Sequence, residues 1–155
     1  MLAATPSLAS LAPAGAGTIE ITVRWTTPAA NAAGALSTAT STTNTFQVLS
    51  SRTLPGGMAR ERAPELSADQ LVVVAVDANG REVGWQLLKD PRVVRAEQPR
   101  PTGELSGQTL YRDSMELVIA SPASLSPAQF RIYSPIWTGT EFLLTLIGTV
   151  PNAPR

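Results

Sequence analysis

The chain has 155 residues, 43% of them hydrophobic, a size that buries a core of its own without disulfides or a structural metal and fits one domain. Twelve basic residues balance twelve acidic ones, which excludes the basic footprint that a nucleic-acid or anionic membrane surface demands. Histidine and cysteine are both absent, so the Ser-His-Asp triad, the thiol nucleophile, the Cys/His zinc site and the disulfide framework are closed off, leaving carboxylate chemistry, Ser-Lys chemistry through the single Lys89, or an oxygen-ligand cation site.

In residues 1–17, Met1 is followed by Ala, Ser, Pro, Gly and Leu with one Thr and no charged side chain. Pro6 and Pro13 interrupt the apolar run and no basic n-region precedes it, so the segment reads as a flexible leader or linker. No stretch approaches the roughly 20 apolar residues of a membrane span. From Thr18 to Trp25, Ile19, Ile21, Val23 and Trp25 alternate with polar residues, the period-two signature of a strand with one face on a core. Thr26 to Asn44 turns to Ala, Thr, Ser, Asn and Gly with a single Leu36. The spacing predicts a long loop, and long loops inside compact domains are candidates for contact. A second strand is predicted over Thr45 to Leu54, with Phe46 and Val48 toward the core and Pro55-Gly56-Gly57 ending it. Met58 to Asp69 mixes charges of both signs and reads as a solvated connection with one helical turn from Ser67.

Leu71 to Leu88 organises the rest. The run Leu71-Val72-Val73-Val74-Ala75-Val76 fits a strand covered on both faces, Asp77-Ala78-Asn79-Gly80 a tight reversal, and Val83, Trp85 and Leu87 a half-exposed partner strand with these three side chains on one face. Asp90-Pro91 predicts a turn, Val93, Arg95 and Glu97 lead out of it, and Gln98 to Gly107 is a Pro-rich loop. Met115, Leu117 and Ile119 mark a strand. Ser121 to Ala128 is a connection, Phe130, Ile132 and Tyr133 mark the next strand, and Glu141 to Val150 is the last. Trp137-Thr138-Gly139-Thr140 supplies the turn between the final two, with Pro135 at an edge or strand end. Seven or eight short strands with no amphipathic helix of three turns predict an all-β, two-sheet antiparallel β-sandwich with long loops, spanning residues 18–151 between the leader and a four-residue tail.

In strand number and alternation, residues 18–150 resemble immunoglobulin-like and fibronectin-type sandwiches, which serve as modules of secreted and surface proteins. The resemblance implies a buried core tryptophan, and either Trp25 or Trp85 fits; the hallmark cysteines are missing. It implies an extracellular, periplasmic, surface or virion setting. The excess of Arg over Lys with abundant Ala and Pro points to a GC-rich bacterial or phage source.

Three functions follow as expectations. The first is a non-catalytic module working by contact, structural, adhesive, assembly or protein-binding, with no cofactor and with either a protein partner or self-assembly. Its contact loops are represented by Ala30, Leu36 and Thr43 in the first and Pro101 and Glu104 in the second. The second is an accessory carbohydrate-binding or substrate-positioning module of a secreted hydrolase, stacking sugar on Trp137 and Tyr133 and orienting it with Arg131. The third is a carboxylate-dependent enzyme, for which Asp69, Asp90, Glu104, Asp113 and Glu141 are the scattered candidates. Asp77 and Asn79 before Gly80, with Glu82 after it, also carry oxygens at calcium-loop-like alternation; as a hairpin turn the same residues need no cation. Asp90, Arg92, Arg95 and Glu97 read either as a charged recognition face or as an exposed strand with cross-strand ion pairs.

Overall fold

A computed structural model describes residues 17–27, 44–57, 65–99, 101–111 and 113–153. Nine strands are found among them: β1 (Thr18–Thr26), β2 (Thr45–Leu54), β3 (Gln70–Val76), β4 (Glu82–Lys89), β5 (Val93–Pro99), β6 (Leu105–Tyr111), β7 (Ser114–Pro122), β8 (Gln129–Trp137) and β9 (Phe142–Pro151). All pairings are antiparallel. They build a three-stranded sheet in the order β2-β1-β7, a four-stranded sheet in the order β4-β3-β8-β9, and a separate two-stranded ribbon, β5-β6.

The two best patterned stretches become the strands with neighbours on both sides. β1 alternates because one face is buried and the other carries Glu20, Thr22 and Arg24. It pairs over its whole length with β2 and β7. β3 is continuous in apolar residues because both faces of its sheet are covered: Leu71, Val73 and Ala75 pack on one side, Val72, Val74 and Val76 on the other.

One apolar cluster draws on both sheets. It combines Ile21, Val23 and Trp25 of β1 and Met115, Leu117 and Ile119 of β7 with Leu71, Val73 and Ala75 of β3, Phe130 and Ile132 of β8 and Val150 of β9. Phe46 and Val48 pack against it from β2, as their alternation predicts. Of the two candidate tryptophans, Trp25 lies in this shared core, stacked on Phe46 at 5.4 Å with its Nε1–H donating to Asn44 Oδ1 at 2.9 Å. Trp85 is also buried, but on the opposite face of the four-stranded sheet.

Three details differ from the sequence reading. Val83 does not share a face with Trp85 and Leu87. The register shifts between Ala75 and Val76, pairing them with Gly84 and Glu82, and the extra residue Val83 turns toward the shared core. Gln98 to Gly107 is loop only in its middle: β5 runs to Pro99 and β6 begins at Leu105, joined through a turn in which Gly103 has φ +81°. Ser67 begins no helical turn; Ala68 and Asp69 form a simple reversal into β3.

Pro135 lies inside β8 without breaking the sheet. Thr138 N–H donates to Glu141 O at 2.9 Å, so by antiparallel alternation the N–H groups of residues 136 and 134 face β9 and that of residue 135 would face the other way. There the pairing of β8 with β3 has already stopped, since the last β3–β8 pair is Val72 with Tyr133. The missing donor costs no ladder bond.

Candidate contact surface

The outer faces of the two sheets differ in chemistry. On the three-stranded sheet, directly opposed residues form ion pairs, Glu20 with Arg52 and Arg24 with Glu116. That is the solvated pattern of an antiparallel sheet with one face in water. The outer face of the four-stranded sheet is instead apolar. Val72, Val74 and Val76 of β3, Trp85 of β4 and Tyr133 of β8 form a buried cluster, with Leu66, Leu87 and Leu144 packed against it.

This apolar face continues onto a projection. Beyond the Val72–Tyr133 pair, residues 134–137 of β8 and 142–145 of β9 pair only with each other among the described residues. The turn closing this hairpin is fixed by the Thr138–Glu141 backbone bond, by Thr138 Oγ1 donating to Glu141 O at 3.0 Å, and by Gly139 at φ +102°. Trp137 (54% exposed) on the hairpin and Leu146 (52%) at its base stand open on this face, Ile136 (55%) on the opposite face of β8, and Trp137 leans on Phe142 with ring centroids 4.9 Å apart. Large side chains at such exposure, gathered on one element, are the surface feature that marks contact sites.

The three residues proposed to hold a sugar lie on one strand face but not around one ring. Arg131, Tyr133, Pro135 and Trp137 alternate along β8, which sets Arg131 and Trp137 about 20 Å apart in extended chain. Tyr133 is buried at 8% exposure, and Arg131 Nη1 is 3.8 Å from Glu82 Oε1. Only Trp137 offers an open face.

The candidate cation ligands are engaged with the chain itself. Asp77 Oδ1 accepts from Asn79 N–H at 2.8 Å and Arg81 N–H at 2.9 Å, and its Oδ2 lies 3.4 Å from Arg81 Nε. The Arg81 backbone hydrogen bond, reinforced by the one from Asn79 and by the Arg81 charge, holds the Asp77 carboxyl below its ordinary range. Among the described residues no three acidic side chains gather as they would around a metal ion.

Ala30, Leu36 and Thr43 lie outside the described residues. Pro101 and Glu104 are exposed at the tip of the β5-β6 ribbon. Asp90, read from sequence as part of an exposed face, is buried at 4% exposure, and Arg92 closes on it through Nε at 3.0 Å and Nη2 at 2.6 Å.

A cleft of about 420 Å³ between the edges of β2 and β9 is lined by Phe46, Gln47, Val48, Thr149 and Pro151. Sequence reasoning missed it, because it forms where two strands distant in the chain come side by side. Among the described residues no helix is long and apolar enough to cross a membrane. Compared with known families, curated proteins and solved structures, the chain matches no family model, no curated protein and no solved structure.

Proposed function

We propose that this chain is a non-catalytic β-sandwich module of immunoglobulin-like type that acts by contact, as a structural, adhesive or assembly subunit or as a protein-binding domain. The observation that carries the reading is the projecting β8-β9 hairpin with Trp137 and Leu146 open to solvent beside an apolar sheet face and Ile136 open on the opposite one. Tryptophan is among the residues most enriched at binding hot spots. The sandwich assignment draws support from the single apolar cluster to which both sheets contribute.

The test is capture from an extract of the source by the immobilised full chain, together with light scattering against concentration. A partner or a self-associated species is expected, weakened about tenfold or more by Trp137→Ala. A chain that stays monomeric at high concentration and recovers no partner overturns the reading.

The open ring of Trp137 also favours a second reading, in which the hairpin tip stacks on a sugar as part of an accessory carbohydrate-binding module. A glycan array decides between them. Binding lost on Trp137→Ala selects the sugar, and equal signals for wild type and variant remove it.

A further inference from the structure

Sheet edges expose unpaired backbone groups, and among the described residues three of the four edge strands of the two larger sheets carry a charge that discourages pairing, while in the ribbon β6 is uncharged as well. β2 has Arg52, β4 has Glu82 and Lys89, and β7 has Glu116, whereas Phe142 to Pro151 of β9 contains no charged residue. Among the described residues β9 pairs with β8 alone. A long, uncharged edge strand without such protection is a template for another strand.

The two halves of β9 are not equally free. Toward its end, Gly148 lies under the ring of Phe46 from β2, so close that a Cβ there would meet Phe46 Cε2 at 2.1 Å. Between them, the Ile132/Tyr133 register shift leaves Ile147 as an extra residue that turns into the shared core. Residues 142–146 precede both features. The Thr138–Glu141 bond fixes their phase: residues 141, 143 and 145 direct their backbone groups to β8, and Phe142, Leu144 and Leu146 direct theirs to the open side.

We infer that residues 142–146 of β9 pair antiparallel with the same residues of a second copy of this chain, about a two-fold axis at Leu144, joining two four-stranded sheets into one of eight. This inference rests on the contact reading and names its partner. The register is set by the backbone. A two-fold at Leu144 faces Leu144 with Leu144 of the second copy and Phe142 with Leu146 of the second copy, all through outward-directed N–H and C=O groups. The side chains agree with that register. Phe142, Leu144 and Leu146 share the outer sheet face, so Leu146 of one copy packs against Phe142 of the other, alongside Trp137. Because the strand is uncharged, self-pairing opposes no like charges, whereas any of the other three edges of the two larger sheets would bring charges of its own into the seam.

A cysteine-free chain allows a direct test. Hydrogen-bonded antiparallel partners sit about 5.5 Å apart at Cα, within disulfide reach, so Leu144→Cys should give a covalent dimer under mild oxidation. Val118→Cys, on β7 and more exposed than Leu144, should not. Sedimentation of the wild-type chain should show a dimer, and Leu146→Lys, at an exposed position that folding does not need, should weaken it about tenfold or more while leaving the melting temperature of the monomer unchanged. A wild-type chain that stays monomeric to millimolar concentration overturns self-pairing, as does a dimer that cross-links through residue 118 and not 144. Either result leaves the contact reading standing if the capture experiment recovers a partner.

Discussion

The guanidinium of Arg92 lies over the indole of Trp25, with Cζ 4.6 Å from the ring centroid, while the same group closes on the buried carboxylate of Asp90. A charge pair set on the lid of the core tryptophan is a point of high leverage, because removing one member leaves the other buried alone. Arg92→Met keeps the aliphatic cover and strands the Asp90 carboxylate with the Arg92 backbone N–H as its remaining donor from this turn. The expected loss is about 2–4 kcal/mol, read from urea unfolding. Arg92→Lys should recover only part of it, since an ammonium cannot reproduce the forked contact of Nε to Oδ1 and Nη2 to Oδ2.

Gly148 and Phe46 form the second point of leverage. A methyl group at residue 148 would overlap the ring of Phe46, so Gly148→Ala should cost about 1–3 kcal/mol through forced displacement of β2 from β9. Phe46→Leu, destabilising alone, should soften that cost when combined with it. A double-mutant cycle with a coupling of less than about 0.5 kcal/mol would show that the two positions do not meet.

The Asp77 turn gives a pH dependence with a definite sign. Its carboxyl sits below its ordinary value in the folded chain, so the carboxylate stabilises the fold above the unfolded-state value and that contribution disappears as pH falls through the folded one. Thermal melts from neutral pH down to about pH 2 should therefore show a drop for the wild type in the carboxylate range that is shallower for Asp77→Ala. The variant should start lower at neutral pH, having lost the acceptor for the Asn79 and Arg81 amides. Parallel profiles would show that Asp77 ionisation is not linked to folding.

The parts of the fold that were legible are those where burial imposes a period. β1 and β7 alternate because each has a single buried face, and β3 is uniformly apolar because it has two. β6 escaped notice for the converse reason. The β5-β6 ribbon joins neither sheet, and the sequence from Leu105 to Tyr111, with Ser, Gly, Gln and Thr between its apolar ends, shows no apolar alternation and reads as loop. The bulge that turns Val83 inward left no trace either, since an added residue is a backbone event visible only in the pairing. At the candidate site, the exposure of Trp137 followed from its place beside a Gly-containing turn, while the burial of Tyr133 depended on β3 and β4 lying alongside. Asp90 and Arg92, two residues apart and both charged, carry no local sign of the tryptophan that covers them from β1.

The ribbon's two roots lie at the same spot. It leaves the body after Asp90, whose neighbour Arg92 rests on Trp25, and returns at Asp113, whose carbonyl accepts from Thr27 N–H at 2.8 Å. Entry and exit are thus both tied to the last turn of one strand, β1, and neither sheet spends a hydrogen-bonded edge on what lies between them. Such an arrangement makes residues 93–111 an exchangeable cassette. Shortening or replacing it should leave the nine-residue strand that holds its ends as it is.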